Sequence, residues 1–120
     1  MVLKLTKEDK EWALKIKERD GFKCCICGVT TYLNSHHLIP REIKPLKYDL
    51  DNGITLCRKH HMFSREISAH NNPLAFMWFL EKNKKNQIKR LKEKWFTLYP
   101  NSSTFSQEME ECAHSAQWTA

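Results

Sequence analysis

Residues 23–61 read KCCICGVTTYLNSHHLIPREIKPLKYDLDNGITLCRKHH, and the punctuation of this stretch decides the fold. After Gly28, the run VTTYLNSHHLI is rich in β-branched and aromatic residues, which suit a pleated surface, and Pro40 ends it as a strand. Pro45, Asp49, Asp51, Asn52 and Gly53 then cluster as a loop. Ile54 and Leu56 alternate as a second strand, so the two strands make a hairpin with a long connection. From Cys57 to about Ile67 neither Gly nor Pro intervenes, which predicts a short helix directly after the hairpin.

Two ligand-type pairs bracket that hairpin. Cys24 and Cys27 stand as C-x-x-C before Gly28, and Cys57 with His60 stands as C-x-x-H. Two thiolates separated by two residues can both reach one tetrahedral ion at about 2.3 Å, and a Gly beyond them permits the tight turn. The donor set favours a structural zinc. Using Cys25 in place of Cys24 would shorten the spacing to C-x-C, so Cys25 is read as a packing residue and Cys112 as a free thiol. His61 adjoins His60 and competes with it for the same place, the choice depending on the rotation of the helix.

Working outward, Thr6 and Asp9 form a capping box, and Trp12, Ala13 and Ile16 share one face of a helix over about Thr6 to Asp20 that stops at Gly21. Beyond the motif, Asn72 and Pro73 open one long helix ending before Pro100, with Met77, Leu80, Ile88, Leu91 and Trp95 near the helical period. Between Glu81 and Lys94 it carries seven Lys or Arg against two Glu. Lys84, Lys85, Lys89 and Arg90 are its nucleic-acid-binding candidates, whereas Trp78, Phe79 and Trp95 are read as packing.

The chain has 120 residues with 41% hydrophobic and 28% charged, a globular composition of one small domain with a thin core that a metal or disulfide would help. Residues 1–100 hold all 20 Lys and Arg beside 11 acidic residues, a net charge of +9, which favours a polyanionic partner. Residues 101–120 carry −3 and read as a flexible polar tail. The longest apolar run, Leu74 to Leu80, is far short of the roughly twenty residues of a membrane span. The basic N-terminus lacks the apolar stretch of a secretion signal, so the cytoplasm is the expected compartment, where five cysteines serve better as ligands or thiols than as disulfides.

His36 and His37 are adjacent at the end of the first strand, so their side chains point to opposite sides and divide two roles between them. With Asn52 near the returning strand and a second His pair on the following helix, several imidazoles converge around one hairpin, a set suited to a hydrated metal and a base.

RDGFKCCICG, SHHLIP and DNGITLCRKHH together resemble the HNH endonuclease family over about residues 10 to 67. The resemblance rests on a C-x-x-C knuckle before the HH pair, Asn fifteen residues beyond His37, and His nine residues beyond that Asn. It implies an α+β fold: a ββα-metal (His-Me finger) core over 20–67, stapled by zinc, with an N-terminal helix and the basic helix of about 73–98, all within one domain of residues 1–100. It further implies that His36 and His61 hold one catalytic divalent ion (magnesium, manganese, nickel or zinc), that His37 is the general base, and that Asn52 orients that base and holds the loop. Cys24, Cys27, Cys57 and His60 would be the family's auxiliary zinc site.

Some relatives carry a further histidine ligand four residues after the last His. Arg65 stands there in this chain, so water or substrate is expected at that position, and His70 could fill it only if the helix bends. Arg41, Arg58 and Arg65 lie near the motif and could meet phosphates without being catalytic. The resemblance and the short chain lead to a small phage-type enzyme that cuts DNA in the host-cell cytoplasm as a monomer or homodimer. The competing readings are a zinc-stapled nucleic-acid-binding module without cleavage and an accessory that docks phage DNA-packaging proteins.

Overall fold

The computed structural model describes residues 4–101. In chain order these form α1 (Lys7–Arg19), β1 (Leu33–His37), β2 (Gly53–Cys57), α2 (Pro73–Asn83) and α3 (Lys85–Leu98). Single 3-10 turns lie at Lys44–Leu46 and Leu50–Asn52, and one π-helical turn at Lys59–Phe63. The chain divides into two compact units, one ending at Lys85 and one beginning at Asn86. The architecture is α+β with a two-stranded antiparallel sheet. Among the described residues no helix is long and apolar enough to cross a membrane. Cys112 and the acidic tail, from residue 102 onward, lie outside the described residues.

Helix α1 begins where the capping box places it. The Thr6 hydroxyl accepts from the Asp9 amide at 3.2 Å, and the Asp9 carboxylate accepts from the Thr6 amide at 2.9 Å, which satisfies two donors that the first turn leaves open. Its inward stripe is Trp12 and Ile16, both buried. At the far end the Asp20 carboxylate accepts from the Thr55 amide at 2.9 Å and from the Arg19 guanidinium, tying the helix to β2. Burial opposes the charge on Asp20, but those hydrogen bonds outweigh it and hold its pKa below the usual carboxylate range.

Strands β1 and β2 pair so that Leu33 faces Cys57, Ser35 faces Thr55 and His37 faces Gly53. Ser35 donates to the Ala13 carbonyl at 2.7 Å and Thr55 to that of Ile16 at 3.4 Å, so this face lies under α1. The alternate face carries His36, Ile54 and Leu56, and the His36 ring meets the Phe76 ring of α2 at 5.9 Å. The connection between the strands is long, as the sequence predicts. It is anchored by Trp12 Nε1, which donates to the Asp49 carbonyl at 3.1 Å, and by Tyr48, which donates to Asp9 at 2.8 Å.

Four expectations need correction. β1 starts at Leu33 rather than near Gly28, because residues 24–29 close on themselves through Cys24 N to Val29 O (2.8 Å) and Gly28 N to Cys24 O (2.9 Å). The helix expected from Cys57 to Ile67 is one turn, ended by Ser64, whose amide bonds to the Lys59 carbonyl. The single long basic helix is two helices, α2 and α3. The stripe of Phe76 and Leu80 would continue at position 84, where a charged Lys stands among Lys82 and Lys85, with helix-poor Asn83 and Asn86 on either side. In α2 the buried residues are Phe76 and Leu80, whereas Met77 and Trp78 are 44% and 60% exposed, so Trp78 is not a packing residue.

Gly53 is the closest approach of α1 to the sheet. A Cβ added there would meet Trp12 Cζ2 at 2.6 Å and Ile16 Cδ1 at 2.7 Å, both on buried side chains. Gly53→Ala is therefore expected to cost about 1–3 kcal/mol through overpacking, measured as a lowered midpoint in urea unfolding. Unchanged stability would show that α1 does not rest on β2 in this way.

Candidate metal centres

The knuckle, the end of β2 and the π-helical turn bring Cys24, Cys27, Cys57 and His60 together, with one donor atom from each lying within 4.8 Å of the others. Cys27 Sγ and Cys57 Sγ are 3.7 Å apart, Cys24 Sγ and His60 Nδ1 3.8 Å, and Cys57 Sγ and His60 Nδ1 3.3 Å. A tetrahedral zinc with Zn–S near 2.3 Å and Zn–N near 2.05 Å requires edges of about 3.8 Å for S···S and about 3.6 Å for S···N. The four residues could therefore hold a metal such as zinc with little movement.

Local backbone makes this possible. Gly28 has φ +78°, the left-handed conformation that turns the knuckle and that a Cβ would disfavour. Burial opposes the thiolate at Cys24, yet backbone amides of Cys27, Cys57 and Ile26 favour it, and the pKa falls below that of an ordinary thiol. The Ile26 amide lies 3.4 Å from the sulfur. Cys25 stays outside the cluster; burial and the nearby Asp20 charge push its thiol up to about 11, consistent with a packing role.

A second cluster lies on the opposite side of the π-helical turn: His36, His61 and His70, again with donor atoms within 4.8 Å. His61 Nε2 and His70 Nε2 are 3.2 Å apart. Two imidazoles on one ion at about 2.0–2.1 Å stand about 2.9–3.4 Å apart, depending on its geometry. The His36 ring centroid is 5.1 Å from that of His61 and 5.2 Å from that of His70. Burial, followed by the neighbouring His61, His70 and His37, holds the His36 pKa down to about 3. His61 is lowered by burial and by His70. Neutral rings are the form that binds metal. Without metal, the folded chain binds fewer protons at His36 than the unfolded chain between about pH 6.5 and pH 3, so this group lowers stability as pH falls through that window.

His70 is the residue that the sequence reading places in this cluster only if the helix bends. The helix ends after one turn, and the chain returns through Ser64–Asn72. The Ala69 amide bonds to the His60 carbonyl (2.9 Å) and the His70 amide to that of His61 (3.0 Å). Asn72 donates to the Arg65 and Glu66 carbonyls and caps α2 by accepting from Ala75. The signal was Ser64, Ser68, Asn71 and Asn72, four residues that bond their own backbone in turns. His70 thus brings a third imidazole to the cluster, where the sequence reading expects water or substrate because Arg65 stands at the position of a further ligand. The rivalry between His60 and His61 also resolves, since each faces a different cluster.

His37 points away from His36. Its ring stacks on Trp12 at 3.9 Å and 8°, and its Nε2 lies 2.9 Å from the Lys47 carbonyl. A carbonyl only accepts, so Nε2 carries the proton and Nδ1 keeps a lone pair. Burial lowers the His37 pKa against the raising effect of that hydrogen bond, and the Arg41 charge lowers it further.

Asn52 is fully buried. Its amide donates to the carbonyls of Ile39 (3.1 Å) and Leu46 (2.9 Å), and its oxygen accepts from the Ile39 amide. It holds the loop, and it reaches His37 only through that loop, whose next residue is Lys47. On the basic helices Lys85, Lys89 and Arg90 are exposed and Lys84 is half-buried where α2 ends.

Comparison with protein-family models, curated proteins and solved structures finds no match to this chain.

Structural zinc in zinc-finger peptides binds with about 10–16 kcal/mol. A strong thiolate-competent chelator is therefore expected to unfold the chain, with loss of the far-ultraviolet helix signal that returns on adding zinc. Full retention of structure after verified zinc removal would show that the Cys/His cluster is not a staple.

Proposed function

We propose that the chain is a metal-dependent DNA endonuclease of the HNH type, with β1, β2 and the π-helical turn as a reduced ββα-metal core. The observation that carries this reading is the convergence of His36, His61 and His70, with His37 adjacent to His36 in the strand, turned to the other face and with its free ring nitrogen defined by the bond to Lys47. The order of His36, His37, Asn52 and His61 along the hairpin supports it, as does the net charge of +6.

Phosphodiester hydrolysis needs a base that is neutral at working pH and a positive centre at the phosphate. His37 Nδ1 takes the proton from water as its oxygen attacks phosphorus, while Nε2 stays fixed on the Lys47 carbonyl. Burial lowers the His37 pKa and so favours the neutral ring that a base requires. Asn52 maintains that carbonyl through the loop and is a positioning residue. Arg41, whose charge acts on His37, would be the arginine to meet the phosphate. A divalent ion on His36, His61 and His70 would supply Lewis-acid stabilisation of the phosphate and of the departing 3′-oxygen. Lys85 and Lys89 would add sequence-independent attraction to the backbone.

The test is cleavage of supercoiled plasmid by the zinc-loaded chain with magnesium, manganese or nickel added. Metal-dependent nicking is expected. His37→Gln, which keeps a donor for Lys47, should lower it about 10²–10⁴-fold. Cleavage by that variant at the wild-type rate would overturn the role of His37. DNA binding without cleavage under every metal would support the non-cleaving binding module instead.

A further inference from the structure

Tyr32, immediately before β1, has φ +52° and is 75% exposed. A bulky residue in the left-handed region is strained, and such strain persists where the surroundings enforce it. Phe22 shares this conformation, but there it ends α1, its amide bonding to the Lys17 carbonyl at 2.8 Å. Tyr32 caps nothing. Its ring instead lies 6.0 Å from the Arg58 guanidinium, and the ring of Phe63, 60% exposed, lies 5.7 Å from the same group. Together with Val29, Lys59 and three residues of the Cys/His cluster, Cys27, Cys57 and His60, these residues line an open groove of about 550 Å³. That volume falls within the roughly 300–1,000 Å³ of small-ligand sites.

The groove has a definite chemistry. Its flat faces are aromatic and its charges are Arg58 and Lys59; among the described residues none of those lining it is acidic. None of the ion pairs among the described residues engages Arg58. Exposed rings beside an unpaired guanidinium suit a planar group attached to an anion.

We infer that the groove between Tyr32 and Phe63 binds an unpaired nucleotide, the base stacking on the exposed rings and the phosphate meeting Arg58 and Lys59. Stacking needs an unpaired base and is tolerant of sequence, so single-stranded nucleic acid is the ligand class. The site is distinct from the histidine cluster, since none of His36, His61 and His70 lines the groove. The inference draws on the nuclease reading only for the expectation that the chain meets nucleic acid.

The experiment is fluorescence anisotropy with the full zinc-loaded chain and no other metal, using a labelled short oligothymidylate and a duplex of equal length. A second single strand carries one 2-aminopurine, whose emission is quenched on stacking. Tyr32→Ala and Phe63→Ala are expected each to weaken single-strand binding about tenfold and to abolish the quenching. Duplex affinity should move less than about twofold, and Tyr32→Phe should behave as wild type. Both side chains are exposed, so helix content and zinc content serve as folding controls. Wild-type behaviour of the alanine variants, equal loss of single-strand and duplex binding, or absence of single-strand binding by the wild type would each overturn the inference. Failure of the nuclease reading reads out separately, as an uncut plasmid with the anisotropy pattern intact.

Discussion

The closest constraint in this fold is the convergence of four donor atoms, from Cys24, Cys27, Cys57 and His60, which could hold one metal ion such as zinc. A two-stranded hairpin is marginal alone in water, and the core here is a handful of side chains, chiefly Trp12, Ile16, Ile54, Leu56, Phe76 and Leu80. A small domain of this kind has a net stability of about 5–15 kcal/mol. A structural zinc contributes about as much as that whole sum. A metal held there would tie the knuckle to the end of β2 and to the π-helical turn that starts two residues after Cys57.

The start of that turn determines what lies opposite. His60 turns toward the thiolates and His61, one residue on, toward His36 and His70, so a single turn of helix separates a thiolate-rich cluster from one made only of imidazoles. The strand does the same with a period of two: His36 faces the imidazole cluster, and His37 faces Trp12 and the Lys47 carbonyl. Two adjacent histidine pairs are thus split, each between two surroundings, because backbone geometry separates neighbours. Asn52 completes the arrangement by filling the loop between the strands with hydrogen bonds that no shorter side chain could make.

Much of this was legible in the sequence, wherever a local chemical rule acts alone. The capping box set the start of α1 at Thr6, the C-x-x-C with Gly28 marked the knuckle, and the opposed side chains of His36 and His37 follow from pleating. The sequence was misleading where absence of a breaker was read as continuation. The stretch after Cys57 lacks Gly and Pro yet stops at Ser64, because serine and asparagine side chains compete for the backbone and turn the chain back toward His61. His70 was legible as a ligand only through that turn. Lys84 likewise interrupts an apolar stripe that spacing alone carried through, and Trp78 occupies an apolar position that nothing among the described residues covers.

Adjacent residues of one helical turn, His60 and His61, belong to two chemically different clusters that could each hold a metal. Titration of the metal-free chain with cobalt, followed by optical absorption, tests this most directly. The first equivalent is expected to produce the intense thiolate-to-cobalt band of a tetrahedral Cys/His site. The second should bind without increasing that band and should be lost in His70→Ala. Saturation at one equivalent, or a second equivalent that binds equally well to His70→Ala, would contradict the account.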